Sequence, residues 1–256
     1  MVYYERRGSI LNRIDIFEQF DKVEAFFSIK PDRSLDLIPA LSRALKEGEY
    51  FIKPHMVHGK HVEVIDEEFL NAEHIKPAGY PELSDVQGYI EVPMTDGLVT
   101  DVPGVAIVTT HGDCIGIFAF DPVKRAVGVA HAGWKGTMLG IAGELVKTMK
   151  ERYGCRAEDI YTYISPGIDK CHFEVRNDVR QQFIDTAAWT EKYIVRKDDE
   201  HFLIDLKGVN RRYLELEGIE NIDINSDCTY CLEEKYWSYR RSKDKDRMLA
   251  YIRLLY

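Results

Sequence analysis

An α+β fold, a single layered domain of mixed β-sheets packed against helices, is predicted from three observations. Strand-like and helical stretches follow one another without strict βαβ alternation. No repeat, low-complexity tract or Gly/Ser-rich linker divides residues 1–256. The hydrophobic content of 45% beside 30% charged residues is that of an ordinary globular chain able to bury a sizeable core.

The elements follow in order. Residues 1–50 are the least readable stretch, where DRSLDLIPALSRALKEG (32–48) predicts a helix ending near Gly48. Strands are predicted at HVEVID (61–66), GYIEV (88–92), GVAIVTT (104–110), IGIFAF (115–120) and AVGVAH (126–131). Met138, Ala142, Leu145 and Met149 recur at helical spacing, so a helix is expected from about Lys135 to Tyr153, with Gly154 placed to end it. A strand at 159–165, a helix at 177–189, a strand at 201–206 and a helix at 207–218 come next. The aromatic stretch YWSYRR precedes a final strand at 247–256.

Composition excludes several function classes. Net charge is −9 and the basic residues are scattered, whereas nucleic-acid binding needs a concentrated positive face. The N-terminus has neither an unbroken apolar stretch nor a small-residue cleavage site, and no run of 18 apolar residues exists. Neither a signal peptide nor a membrane span is therefore expected. Five irregularly spaced cysteines without a secretory signal point to reduced thiols in the cytoplasm.

The chemistry centres on HGDCIGIFAFDPVKRAVGVAHAGWKG (111–136). Pairing Phe120 with Ala126 across the loop 121–125 sets Ile115 opposite His131 and Cys114 one step diagonal to it. That geometry lets Cys114 and His131 share a metal ion, and His58 in KPHMVHGKHV is the best third donor. Two His and one Cys leave a fourth tetrahedral position open, as in catalytic zinc sites. Two other readings stay open at this point: a small core cysteine beside a satisfied histidine, and a Cys114 nucleophile with His131 as its base. Gly133 and Gly136 around Trp134 and Lys135 make either an anion-binding helix start or a plain tight turn. Cys228-x-x-Cys231 has no partner CxxC and reads as structural.

The segments VHG (57–59), GDC (112–114), AHAGWKG (130–136), SPGIDKCHFEV (165–175), DLKGVNRRYL (205–214), DCT (227–229), SYRR (238–241) and RMLAYI (247–252) occur in that order. Together they resemble the laccase-domain (YfiH-like) family, first called polyphenol oxidases and now regarded as purine nucleoside phosphorylases with adenosine deaminase activity. The resemblance covers residue 50 to the C-terminus and implies zinc held by His58, Cys114 and His131. It implies phosphorolysis of adenosine, inosine and methylthioadenosine, deamination of adenosine to inosine, and small-molecule partners only: purine nucleosides and phosphate.

For that chemistry Lys135, Arg240 and Arg241 are candidate phosphate or substrate holders, and Asp113 and Asp96 candidate proton shuttles. The chain departs from the family pattern at RSLDL (33–37), Met56 and Asp246, and His111 is an unusual neighbour of Asp113 that could add a donor. Among eight His there is no His-x-His pair, which argues against multicopper oxidase chemistry, although copper could replace zinc at the same three donors.

Overall fold

Residues 11–30, 34–72, 80–243 and 245–256 are described in a computed structural model. Fifteen short strands among them assemble into two six-stranded mixed sheets and one three-stranded sheet. The first sheet runs in the order Leu11–Arg13, Val23–Ser28, Met248–Leu254, Val105–His111, Tyr50–Pro54, Tyr89–Val92. The second runs Asn221–Ile224, Tyr161–Ile164, Ile115–Asp121, Ala126–Ala132, Gly97–Thr100, Val62–Val64. In both, antiparallel neighbours occupy part of the sheet and parallel pairs lie toward an edge, such as Tyr50–Pro54 beside Tyr89–Val92 and Val62–Val64 beside Gly97–Thr100.

The period of two along each strand sorts the side chains into layers. Phe118, Phe120, Val127 and Val129 of the second sheet meet Ile52, Ile107, Ala250 and Ile252 of the first in one core between the sheets. Ile115, Ile117, Ala119 and Ala130 point the other way, under the helices Ile141–Tyr153 and Leu206–Leu216. The helix Ser34–Ser42 contributes Leu37 and Ile38 to the core on the outer face of the first sheet. The small sheet, Glu174–Arg176, His201–Ile204 and Ile194–Arg196, adds Val175 and Ile204 to the helix-side core. This is the predicted layered mixture of helices and mixed sheets.

Three expected helices differ; the one expected at 177–189 stops at Thr186, where extended Ala187 breaks it before the short 3₁₀ helix Ala188–Tyr193. The 32–48 helix is observed only as Ser34–Ser42, residues 32–33 lying outside the described range. Pro39 sits inside it without an N–H, and the amides of Ala44, Leu45 and Glu49 bond three residues back, as turns do. The 135–153 helix is two helices, Trp134–Met138 and Ile141–Tyr153, divided at Gly140 with φ +82°. A Cβ at Gly140 would lie 2.8 Å from the Tyr213 ring, whose hydroxyl donates to the Met138 carbonyl, so the break seats that ring. Gly154, at φ +66°, ends the second helix as expected. Strands at Val23–Ser28, Tyr50–Pro54, Gly97–Thr100 and Asn221–Ile224 were not anticipated. Among the described residues no helix is long and apolar enough to cross a membrane.

Candidate metal centre

The HGDC stretch is the corner where the chain passes from one sheet to the other. His111 ends a strand of the first sheet, and Ile115 begins one of the second. Gly112 lets the corner close, because a Cβ there would lie 2.8 Å from Arg247 Cδ. Asp113 turns at φ +85°, a left-handed conformation that Asp tolerates better than most residues.

The hairpin register differs by one residue from the expected one. Asp121 pairs with Ala126, Gly116 with His131 and Ile115 with Ala132, so Ile115 is not opposite His131. Asp121 belongs to the strand because its carboxylate accepts the N–H groups of Val123 and Lys124, which fixes a four-residue turn closed by Arg125 at φ +52°. The shift has a chemical consequence. Cys114 now stands two residues before the partner of His131 and shares its face, where the expected register would have put it on the other.

His58, Cys114 and His131 offer Nδ1 or Nε2 and Sγ atoms that all lie within 4.8 Å of one another. Asp96, fully buried at the start of the Gly97–Thr100 strand, organises the group. Its carboxylate meets His131 Nδ1 at 3.2 Å and accepts the N–H groups of Val57, His58 and Gly59 at 3.2, 2.9 and 2.7 Å. Its carbonyl also accepts the His131 N–H at 2.7 Å. One residue thus orients one histidine and pins the loop that carries the other. His58 holds a left-handed φ of +62°, and its ring meets that of His131 edge-on, centroids 4.9 Å apart. Gly133 clears the space beside them: a Cβ there would come within 2.6 Å of His58 Cδ2.

Electrostatics couple the members. Burial opposes ionisation of Cys114, but the charge of His131 and hydrogen bonds from His131 and His58 outweigh it, bringing the thiol to about 6. Burial likewise disfavours a charged His131, yet the Cys114 thiolate and the Asp96 carboxylate raise it to about 9. Burial also opposes the Asp96 charge; the bonds to His131, Gly59 and Val57 hold the carboxyl below its ordinary value. At neutral pH, without a cation, the pair is thiolate and imidazolium, and the thiolate is ready to ligate.

The remaining expected site residues lie outside this donor group. His111 is not a further donor to this group. Its Nδ1 donates to the Cys114 carbonyl at 3.2 Å, and its Nε2 accepts from the Thr109 hydroxyl at 2.8 Å. Burial and the charge of His131 keep it neutral, well below its ordinary range. It straps the corner that presents Cys114. Asp113 has both oxygens engaged, one by the Thr229 hydroxyl at 2.7 Å and the other by the Arg240 N–H at 2.6 Å, a structural post that suits it poorly to proton shuttling. Arg241 directs its guanidinium at the carbonyls of Thr229, Tyr230 and Tyr236, so it braces a loop instead of holding an anion. Arg240 is exposed and donates Nη1 to the carbonyls of His172 and Glu174. Lys135 is exposed on the five-residue helix after Gly133, its ammonium 5.5 Å from the Trp134 ring centroid.

A second donor group, Cys171, His172, Cys228 and Cys231, also converges within 4.8 Å. The CxxC therefore has a partner pair after all, the adjacent Cys171 and His172. No second CxxC marks them in the sequence, which is why spacing alone misses them.

The comparisons agree with this architecture. Residues 38–255 match the family model described as multi-copper polyphenol oxidoreductase laccase. Over 162 residues the chain is 38% identical to the human purine nucleoside phosphorylase LACC1, a stretch covering 61% of this chain and 37% of that protein. Over 165 residues it is 36% identical to the purine nucleoside phosphorylase YlmD of Geobacillus stearothermophilus, covering 63% of this chain and 60% of that one. The matches thus span less than two thirds of these curated relatives. The crystal structure of the hypothetical protein YfiH of Bacillus licheniformis superposes with a TM-score of 0.80 at 26% identity, covering 97% of both chains. With the family model matched along 38–255 and the YfiH fold reproduced, the chain belongs to the laccase-domain family.

Proposed function

We propose that this chain is a cytoplasmic, zinc-dependent enzyme of purine nucleosides, acting as one domain over residues 1–256. It cleaves adenosine, inosine and methylthioadenosine with phosphate, and it deaminates adenosine to inosine. The observation that carries the reading is the convergence of His58, Cys114 and His131 with Asp96 behind them. The names of the relatives, purine nucleoside phosphorylases, support the substrate class.

One thiolate and two imidazoles suit zinc, and three protein donors leave a coordination position for the reaction. The ion would supply Lewis acidity and make water acidic enough to react near neutral pH. Asp96 fixes the proton on His131 Nδ1 and leaves Nε2 toward Cys114. In phosphorolysis a phosphate oxygen bonds to ribose C1′, while the electrons of the C1′–N9 bond leave with the purine. We assign the phosphate to the exposed Lys135 and Arg240. The same three donors would accept copper. A multicopper oxidase, however, needs a His-rich cluster, and the two donor groups among the described residues hold two histidines and one.

Chromatography of products from adenosine, with and without phosphate, tests this reading. Adenine should appear only with phosphate, and inosine in both reactions; absence of both products refutes it. A second reading rests on the thiolate and imidazolium of Cys114 and His131, the charge state of a thiol nucleophile. Metal-free protein that stays active until Cys114 is alkylated would favour that alternative.

Two further outcomes follow. Between pH 6 and 9 the Cys114–His131 pair carries one proton, on His131, and zinc needs that imidazole neutral. Zinc binding should release this proton, so affinity rises with pH across the window and more steeply below it, where Cys114 is protonated too. Calorimetry in buffers of different ionisation enthalpy reads the proton count; a pH-independent affinity would contradict it. Gly133→Ala should push His58 aside and weaken zinc by about 1 kcal/mol, roughly fivefold, while the fold persists. Competition with a chromophoric chelator measures that loss.

A further inference from the structure

Cys171, His172, Cys228 and Cys231 lie outside the proposed chemistry, yet the fold goes to some length to bring them together. A tight turn carries the first pair: the N–H groups of His172 and Phe173 both donate to the Asp169 carbonyl, at 2.8 and 2.9 Å. Cys228 is set beside that turn by backbone pairing with Gly167, and the Thr229 N–H donates to the Gly167 carbonyl at 3.1 Å. Cys231 follows in a turn closed by the Leu232 N–H on the Cys228 carbonyl at 3.1 Å. Cys171 and Cys231, 60 residues apart in sequence, thereby bring their sulfurs to 3.6 Å.

The spacing is that of a coordination polyhedron. His172 Nδ1 is 3.2 Å from Cys171 Sγ and 3.3 Å from Cys231 Sγ. Bond lengths of about 2.3 Å to sulfur and about 2.0 Å to nitrogen give tetrahedral edges of roughly 3.8 Å between sulfurs and roughly 3.5 Å from sulfur to nitrogen. The observed separations sit a few tenths of an ångström inside those edges, a small expansion away. A disulfide between Cys171 and Cys231 would account for two of the four donors and leave His172 and Cys228 without a reason to converge.

The surroundings are those that orient ligands in metal sites. The His172 ring is stacked on Tyr230, centroids 4.0 Å apart and planes 17° off parallel, which holds Nδ1 toward the sulfurs. The Asp169 N–H points at Cys228 Sγ from 3.4 Å, a donor suited to a thiolate. Cys228 is buried, whereas Cys171 and Cys231 are exposed, so an ion has an open path in.

We propose that Cys171, His172, Cys228 and Cys231 bind one zinc ion in a closed, structural Cys₃His site. On binding, three thiols lose their protons to solvent and neutral His172 ligates through Nδ1. Four protein ligands leave no position for substrate, so this ion holds segments together and does no chemistry. What it fastens is the wall behind Cys114. The Thr229 hydroxyl and the Arg240 N–H both end on the Asp113 carboxylate, and the Ile168 N–H donates to the Asp113 carbonyl at 2.8 Å. Asp113 directly precedes Cys114, so the second ion buttresses the corner that presents the Cys114 ligand. The assignment goes beyond the proposed activity and stands whether or not adenosine is turned over.

The test counts metal in the full chain purified under reductant and exchanged free of loose ions. Elemental mass spectrometry should find two zinc ions per wild-type chain, one per Cys171→Ser/Cys231→Ser chain and one per Cys114→Ser chain. Cobalt titration of stripped wild type supplies a reading that needs no variant to fold. Two equivalents should bind, with an intense thiolate-to-cobalt charge-transfer band dominated by the three-thiolate site. Binding of a single equivalent that Cys114→Ser abolishes would overturn the proposal. So would recovery of Cys171 and Cys231 as a disulfide from the reductant-treated chain.

Discussion

His131→Ala should lower both adenine and inosine formation by about 10³-fold, because losing one ligand removes an ion that supplies several kcal/mol of transition-state stabilisation. Metal content should fall by one ion per chain. The ring is 4% exposed and backed by Asp96, so the substitution also opens a small cavity beside a buried carboxylate. The carboxylate keeps three backbone N–H donors, so the fold should survive. Cys114→Ser, which preserves side-chain size, separates ligand loss from cavity formation: it should give the same kinetic collapse with native circular dichroism. Unchanged turnover in His131→Ala at native metal content would overturn the assignment of this group as the active centre.

Asp96→Asn should weaken metal binding 10- to 100-fold, the usual cost of losing a partner that orients a ligating histidine. The position is demanding because the carboxylate receives four N–H groups and has no neighbour needing a donor. An asparagine amide must turn its NH₂ toward at least one of them, which leaves buried donors facing each other at about 1–3 kcal/mol. Hydrogen exchange at Val57, His58 and Gly59 should accelerate in the same variant, because those amides lose their acceptor. Weaker zinc with unaltered exchange would mean that Asp96 orients His131 alone and does not pin the His58 loop. Neither effect is expected of a carboxylate acting only as a proton shuttle.

Much of the fold was legible from local pattern. The strands at 104–110, 115–120 and 126–131 and the helix at 207–218 are found within two residues of their expected limits, because apolar runs and helical periodicity follow directly from burial. The missed strands are short and locally ambiguous. Gly97–Thr100 is buried along its whole length by neighbours from both sides of the chain, a fact of tertiary packing. The break at Gly140 was equally hidden, since its cause, the Tyr213 ring, arrives from 73 residues further along.

The candidate site divides in the same way. His58, Cys114 and His131 could be chosen from residue type, spacing and family pattern, because ligand chemistry is written in side-chain identity. The hairpin register could not. Whether Asp121 belongs to the strand or to the turn depends on hydrogen bonds from its own carboxylate, and that single residue decides which face Cys114 occupies. The role of Asp96 and the contacts that engage Asp113 with Thr229 and Arg240 join segments that no sequence spacing records, while the strap made by His111 is local and depends on how the corner turns. By itself the sequence determined which donors exist and which elements carry them. Tertiary structure alone decided which donors meet, what holds them in place and which charged groups are already engaged, because those outcomes depend on distances between residues far apart in the chain.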